Sequence, residues 1–209
     1  RSTLFPYTTL FRSERCHLGA GASLTAVVDG RSVDTTMGFT PLEGLVMATR
    51  SGTVDPGLLL WLEEHEHLSP HEVAIALEHR SGLTALAGTG DMRQVEAAAE
   101  RGAADAMLAL DIYTHRLVAG IAAMTASAGG LDVLAFTGGV GENSAVVRRR
   151  AVARLGFLGA ALDEPRNTTV RGDGDITATT ATVRTVVIAA REDLQIAREA
   201  RHVLGSAQP

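Results

Sequence analysis

Two glycine-rich segments are the parts of this sequence whose residue types and spacing could most directly serve chemistry. The first reads HLGAGAS over residues 17–23, and the second reads TGGVGENS over residues 137–144. Glycine lets the backbone approach a ligand closely, and backbone N–H groups at the start of a helix attract anions. The first segment is therefore a candidate ligand-binding turn and the second a candidate phosphate or nucleotide site. A tight connection that needs glycine only for packing is the alternative, because short glycine patterns are weak evidence.

Arginine is the only permanently charged cationic side chain that could assist such a site. All 19 basic residues are arginines, so a P-loop lysine is excluded. Arg50 stands in a short polar break, ATRSG, between two apolar runs. Its planar guanidinium, with five N–H donors, suits the oxygens of a phosphoryl group in transfer. A surface salt bridge is the ordinary alternative for an arginine.

The elements that must position these segments begin with strands. Residues 16–36 are predicted to form three strands, the first cut short, with Asp29 and Gly30 in a type I′ turn. Residues 42–49, after Pro41, suggest a short helix, and residues 57–65 a further helix. Ser69 and Glu72 form a capping box for a helix that ends near residue 80. Residues 81–90 are predicted to be a loop.

The second half of the sequence alternates between helix and strand. Asp91 is a candidate cap for a helix over residues 92–101, and a long helix is predicted over residues 103–127. Strands are predicted over residues 131–136 and 183–189, and helices over residues 144–155 and 192–203; residues 156–181 are expected to be irregular. One face of the long helix carries apolar side chains at helical spacing, which indicates core or a subunit interface: Leu110, Tyr113, Leu117, Ile121 and Met124. The order predicts a layered α/β domain.

Composition narrows the class of protein. The chain has 209 residues, of which 45% are apolar and 21% charged, as in one ordinary globular domain. A net charge of −5 gives no indication of a nucleic-acid surface. Cys16 is the only cysteine, so no intrachain disulfide is possible. No uninterrupted apolar run approaches the length of a membrane span. We therefore expect a cytoplasmic protein without a nucleic-acid or membrane partner.

Residues 1–15, RSTLFPYTTLFRSER, differ from the rest of the chain. They contain Phe5, Tyr7 and Phe11 but no basic region leading into an apolar region, so a signal peptide is not indicated. The segment resembles translated sequencing-adapter sequence. We interpret residues 1–15 as a non-native or disordered leader, residues 16–204 as the folded domain and residues 205–209 as a tail. A native strand that feeds residues 16–18 is the alternative for the leader.

Five motifs together resemble those of the acetate kinase (short-chain acyl kinase) family. They are HLGAG at residue 17, ATRSGTVDP at residue 48, the Asp91-Met92-Arg93 triplet, TGGVGENS at residue 137 and AAREDLQIAR at residue 189. The resemblance implies one βββαβαβα half of the actin/sugar-kinase fold with inserted helices. It also implies that residues 16–204 are the C-terminal, nucleotide-side half of such a kinase.

The resemblance assigns roles to particular residues. It implies that Arg50 stabilises the transition state and that His17 contacts the transferring phosphate. Glu192 matches the magnesium-associated glutamate of the family, although it is also placed to complement a helix N-terminus. The Asp91 triplet is otherwise a plain helix cap. The residues implied to contact the nucleotide are His17, Leu18, Gly19, Ala20, Gly21, Asp91, Met92, Arg93, Gly139, Val140, Gly141, Glu142 and Asn143.

The implied reaction is ATP + acetate ⇌ ADP + acetyl phosphate, with Mg²⁺ or Mn²⁺ and in a homodimer of the full-length protein. The chain departs from the family at Ala20, where asparagine is usual, and at Ala190 and Arg191, where threonine and asparagine are common. It also lacks the family's N-terminal motifs, so we expect the chain alone to be inactive. A fragment of a propionate or butyrate kinase, and a non-catalytic nucleotide-binding or dimerisation module, are the alternatives.

Overall fold

A six-stranded mixed sheet lies at the centre of the computed structural model, which describes residues 11–206. The strands are β1 (Arg12–Leu18), β2 (Ala22–Val28), β3 (Arg31–Thr35), β4 (Val133–Thr137), β5 (Gly174–Asp175) and β6 (Arg184–Val187). Their order across the sheet is β3-β2-β1-β4-β6-β5. β1, β4 and β6 run parallel, whereas β2, β3 and β5 are antiparallel to their neighbours. The predicted opening meander followed by parallel strands is therefore present.

The turn between β2 and β3 has the geometry that its sequence predicts. Asp29 has φ = 49° and Gly30 has φ = 77°. A type I′ turn requires positive φ at both central residues, which Asp and Gly tolerate better than other residues.

Residues 12–15 contradict the prediction that the whole leader lacks a place in the sheet. They form the start of β1 and pair with β2 on one side and β4 on the other. Arg12 donates from Nη2 to Oδ1 of Asp132 at 2.6 Å and from Nη1 to the Gly129 carbonyl at 2.8 Å. Pairing on both sides and these side-chain bonds fix the segment. Residues 1–10 of the leader and residues 207–209 of the tail lie outside the described residues.

Nine α-helices and one 3₁₀ turn, Gly156–Leu158, accompany the sheet within residues 11–206. The helices are α1 (Pro56–His65), α2 (Pro70–His79), α3 (Gly82–Ala87), α4 (Met92–Glu100), α5 (Ala104–Ser127), α6 (Gly138–Asn143), α7 (Ala145–Val152), α8 (Glu164–Thr169) and α9 (Glu192–Ser206). The predicted capping box at Ser69 and the cap at Asp91 are both confirmed. Residues 156–181, expected to be irregular, contain α8 and β5, and α9 extends into the predicted tail.

Two local predictions are wrong, and the same contacts explain both. Residues 42–49 are not helical, and residues 82–87 form α3 instead of continuing a loop. The Leu83 N–H donates to the Met47 carbonyl at 3.0 Å, and the Thr84 N–H donates to the Ala48 carbonyl at 2.9 Å. This non-helical loop therefore supplies acceptors for the unpaired N–H groups at the start of α3. These partners are more than thirty residues apart in sequence, beyond the range of local patterns.

The central part of the core lies where α5 packs against the sheet. The predicted apolar stripe is buried, with Leu110 3%, Tyr113 3%, Leu117 1%, Ile121 0% and Met124 6% exposed. It belongs to one apolar cluster with the β1 and β4 side chains Leu18, Leu134 and Phe136. By length and composition alone, α5 could span a membrane, although polar residues interrupt its apolar runs. Its buried face is that of a core helix.

Candidate functional site

The two glycine-rich segments lie side by side at one edge of the sheet. His17 at the end of β1 is the register partner of Thr137 at the end of the parallel strand β4. A Cβ atom placed on Gly19 would lie 4.0 Å from the Gly139 nitrogen. This edge is formed by the carboxyl ends of the parallel strands, where open α/β sheets bind ligands.

Gly138 fixes how the chain leaves β4. Its φ is +78°, and a Cβ there would come within 2.8 Å of the Leu18 carbonyl oxygen. Only glycine fits this close approach without strain. The segment then forms the short helix α6 directly, whereas the sequence predicted an open turn before a single helix. The N–H of Gly138 donates to the Glu142 carboxylate at 2.9 Å, so it is already occupied.

Adjacent to this connection, α4 forms the other wall of a cleft with a volume of about 580 Å³. This volume lies within the usual range for small-molecule sites. The cleft brings together several of the residues implied to contact a nucleotide. Its lining residues are Gly19, Ala20, Gly90, Asp91, Met92, Arg93, Glu96, Gly139, Val140, Asn143 and Ser144.

Five of the implied contacts are absent from this lining, namely His17, Leu18, Gly21, Gly141 and Glu142. The Leu18 side chain is fully buried in the core. Glu142 accepts from the N–H groups of Gly138 and Ala190, each at 2.9 Å, and so joins α6 to the loop before α9. The Gly141 carbonyl accepts from Nη1 of buried Arg148 at 2.8 Å. These contacts stabilise the α6 segment that forms this wall of the cleft.

Asp91 forms the helix cap that the sequence predicted, and Asp91 and Arg93 both line the cleft. Asp91 caps α4 by accepting from the Arg93 N–H at 3.0 Å. The Arg93 guanidinium also donates to both Asp91 oxygens, from Nε at 3.0 Å and from Nη2 at 2.8 Å. This side-chain bond is the main cause that holds the pKa of Asp91 below its usual value. The pair is a helix cap that also lines the cleft.

Glu96, which sequence reasoning missed, lies on the same wall. Its carboxylate accepts a short hydrogen bond from the Ser144 hydroxyl, and partial burial raises its pKa. The only signal in the sequence was its position five residues after Asp91 on an amphipathic helix. The partner that marks it, Ser144, is 48 residues away.

Arg50 lies beside the first glycine segment. A Cβ on Gly21 would be 3.5 Å from its Nη1. Nη1 donates to the Pro41 carbonyl at 3.2 Å and contacts the Met47 sulfur at 3.7 Å. Among residues 11–206, no carboxylate forms an ion pair with Arg50. The surface salt bridge considered from sequence is therefore not what this arginine makes within that range.

His17 and Glu192 lie next to the same segment. Nδ1 of His17 is 3.9 Å from Oε1 of Glu192, and its Nε2 would be 3.8 Å from a Cβ on Gly19. Glu192 is the only one of these groups with the hard oxygen ligands that Mg²⁺ prefers. Within the described part of the chain, no three His, Cys, Asp or Glu residues cluster as a metal site. A single carboxylate fits Mg²⁺ only where phosphate oxygens and water complete the coordination.

The fold and the site define an α/β domain with a glycine-lined cleft at the carboxyl ends of its parallel strands. The chain belongs to the acetokinase family, whose model matches residues 11–198. It is 50% identical over 189 residues to an acetate kinase of Microcystis aeruginosa, covering 90% of this chain and 47% of the relative. It is 53% identical over 185 residues to an acetate kinase of Gloeobacter violaceus, covering 88% of this chain and 46% of that relative. The chain spans about half the length of these curated relatives.

Solved structures agree with this assignment. The chain matches the crystal structure of Porphyromonas gingivalis acetate kinase with a TM-score of 0.87 and 36% identity, over 93% of this chain and 49% of that one. A propionate kinase from Francisella tularensis matches with a TM-score of 0.86 and 39% identity, over 91% and 49%. The fold class expected from sequence, one half of the actin/sugar-kinase architecture with inserted helices, is confirmed.

Proposed function

We propose that this chain is the nucleotide-side half of an acetate kinase, which transfers a phosphoryl group reversibly between ATP and acetate. One observation carries the proposal: backbone from both glycine segments and the start of α4 line one cleft of about 580 Å³. Nε2 of His17 would lie 3.8 Å from a Cβ on Gly19, which lines the cleft, and Nη1 of Arg50 would lie 3.5 Å from a Cβ on Gly21, two residues further along. The family and the relatives named acetate kinase support the same reaction.

The proposed roles follow from the positions of the groups. Backbone at Gly19, Ala20, Gly21, Gly139 and Val140, together with the Asn143 amide and the Asp91–Met92–Arg93 wall, holds ADP or ATP. The guanidinium of Arg50 and the imidazole of His17 donate to the phosphoryl oxygens, on which charge spreads during transfer. Leu18, Gly141 and Glu142 act indirectly, because they shape the loops that the nucleotide meets.

Glu192 is the residue that would hold Mg²⁺ or Mn²⁺. When bound, the ion would neutralise the charge of the phosphate groups. The proximity of Glu192 to His17 supports this role, since it brings a carboxylate to the phosphate side of the cleft.

Ala20 changes the phosphate side without removing it. The side-chain amide of the usual asparagine is missing, but the Ala20 carbonyl still accepts from the Ala48 N–H at 3.1 Å. That bond ties the first glycine segment to the loop that carries Arg50. We therefore expect altered phosphate contacts in an intact cradle.

Transfer also needs an acceptor held in line, in a site closed to water. Because the chain spans about half of its relatives, we propose that it binds ADP or ATP but makes no acetyl phosphate alone. A cytoplasmic location and a homodimer of the longer protein belong to the same proposal. The match to a propionate kinase favours that acyl chain as the second candidate substrate, ahead of butyrate.

The test has two parts. Titration calorimetry with ADP and Mg²⁺ measures binding to the chain, with Arg80→Ala as a control for an exposed arginine outside the cleft. Acetyl phosphate, trapped as hydroxamate, is then measured for the chain alone and for the chain fused to the N-terminal half of the Gloeobacter violaceus acetate kinase. We expect both the chain and the fusion to bind ADP, and only the fusion to produce acetyl phosphate. No ADP binding, or rapid turnover by the chain alone, contradicts the proposal, and faster turnover of propionate than acetate identifies the second candidate.

A further inference from the structure

One wall of the cleft is acidic, although the cleft is proposed to hold an anion. Glu96 projects from α4 into the lining and is partly buried. Its Oε1 accepts from the Ser144 hydroxyl, while the Ser144 oxygen accepts from the Val147 N–H at 2.9 Å. Ser144 is thus held between two partners, since its oxygen accepts from Val147 while its hydroxyl donates to Glu96. Among residues 11–206, no hydrogen bond uses the second oxygen of Glu96, Oε2.

The charges around the cleft are not evenly distributed. On the side of Gly19 and Gly21, Arg50 has no ion-pair partner within residues 11–206. On the α4 side, the charge of Arg93 is balanced by Asp91 at 2.8 Å, which leaves Glu96 without a cation in hydrogen-bond contact. A phosphate group placed against Glu96 would meet a like charge and an oxygen that can only accept. That part of the cleft instead suits a neutral N–H or O–H donor.

We propose that Glu96, held by Ser144, accepts a hydrogen bond from the nucleoside and thereby sets which way round the nucleotide lies in the cleft. The donor is a ribose hydroxyl or the amino group of the base, which present the same chemistry to a carboxylate. Its phosphates then extend towards Gly19, Gly21 and Arg50. This inference rests on the proposed nucleotide site and adds a specificity-determining residue to it.

A purely structural role for Glu96 is the competing explanation. The carboxylate would then serve only to anchor Ser144 at the start of α7. Glu96→Gln separates the two roles because its side-chain oxygen still accepts from Ser144, whereas the new NH₂ group replaces Oε2 with a donor. In this variant the nucleoside donor faces another donor, whereas the hydrogen bond with Ser144 at the start of α7 is kept.

The experiment is titration calorimetry on the whole chain with ADP, 2′-deoxy-ADP, 3′-deoxy-ADP and purine riboside diphosphate, which lacks the amino group. Loss of the contacted donor should weaken binding to the unmodified chain about tenfold or more, as for a hydrogen bond to a charged group. Glu96→Gln should bind ADP more weakly by a similar factor. It should also bind ADP and the analogue that lacks the contacted donor with equal affinity. The analogue that binds the unmodified chain more weakly than ADP identifies the ribose or the base as the source of the donor.

Glu100→Gln is the matched control, because Glu100 is exposed and lies one turn further along α4. It should leave ADP affinity and discrimination unchanged, and both variants should keep the melting temperature of the parent. Pyrophosphate, which has no nucleoside, should bind Glu96→Gln at least as well as the parent. Undiminished discrimination in Glu96→Gln overturns this inference while leaving the nucleotide site standing. A parent chain that binds no ADP overturns the nucleotide site itself, and this inference with it.

Discussion

Glu14 is a carboxyl group in the core, and its titration yields a sharp prediction about stability. It lies on β1 opposite Ala26 of β2 and Leu134 of β4, and it is 1% exposed. Neither carboxylate oxygen has a hydrogen-bond partner among residues 11–206. Burial raises the pKa of Glu14 from 4.5 to about 9. The folded chain therefore holds this side chain protonated at neutral pH.

The magnitude follows from that shift of the pKa. Between pH 4.5 and about 9, the folded chain binds one more proton at Glu14 than the unfolded chain does. The free energy of unfolding then falls as pH rises, by roughly 1.4 kcal/mol per pH unit. The contribution is fully present below pH 4.5 and is lost as pH passes the folded pKa. At pH 7 roughly 3 kcal/mol has already been lost.

Replacing Glu14 by valine tests this argument. Valine suits the interior of a strand and has no charge to desolvate. We expect Glu14→Val to lose the decline with pH, so that its stability relative to the parent rises by about 3 kcal/mol between pH 4.5 and pH 7. Urea unfolding followed by circular dichroism, between about pH 5 and 9, measures both. Glu100→Gln, an exposed change, should keep the slope of the parent.

The difference between parent and Glu14→Val cancels the titration of other groups. Parallel stability curves for these two proteins across the pH range would refute the assignment of a buried, protonated Glu14. A variant less stable than the parent at every pH would show that the carboxyl group has a partner that compensates its burial.

Three further predictions concern the cleft and its support. In the fused protein, Arg50→Ala should lower kcat about 100- to 1,000-fold with little change in KM for ATP; an unchanged kcat in the hydroxamate assay counts against Arg50. Gly138→Ala should destabilise the chain to urea by about 1–3 kcal/mol, because its φ is positive and the added Cβ meets Leu18. Gly139→Ala, where a Cβ meets open space, is its control and should unfold like the parent. Arg148→Ala should cost at least about 3 kcal/mol in the same assay, since it leaves buried acceptors unpaired, whereas the neighbouring Arg149→Ala should cost little.

The elements that could be predicted are those fixed by neighbours in sequence. Ser69 with Glu72, Asp91 and the Asp29–Gly30 turn each satisfy their hydrogen bonds or backbone geometry within a few residues. The apolar spacing of α5 is likewise local. The loop at residues 42–49 and α3 were wrong because each provides the hydrogen-bond partners of the other. β1 began earlier than expected because pairing on two sides outweighs the unusual composition of residues 12–15.

The same distinction applies to the cleft. Its convergence could be expected, since residues that follow parallel strands meet at one edge of the sheet. The directions in which individual side chains point could not be predicted from the sequence. Glu142 was expected at the nucleotide, but its carboxylate bonds to Ala190, 48 residues away. Glu96 drew no attention, because only its contact with Ser144, also 48 residues away, distinguishes it from a surface glutamate.

The absence of a helix at residues 42–49 allows Arg50 to lie beside the first glycine-rich segment. Because residues 42–49 are not helical, the Met47 N–H is free to donate to the Arg50 carbonyl at 3.1 Å, and the Ala48 N–H donates to the Ala20 carbonyl. These bonds hold Arg50 beside Gly21, which has no side chain to intervene. Its guanidinium meets a carbonyl and a thioether, so it can approach an anion without first breaking an ion pair. A helix there would have withdrawn these backbone groups into its own hydrogen bonds and left both α3 and the arginine without support.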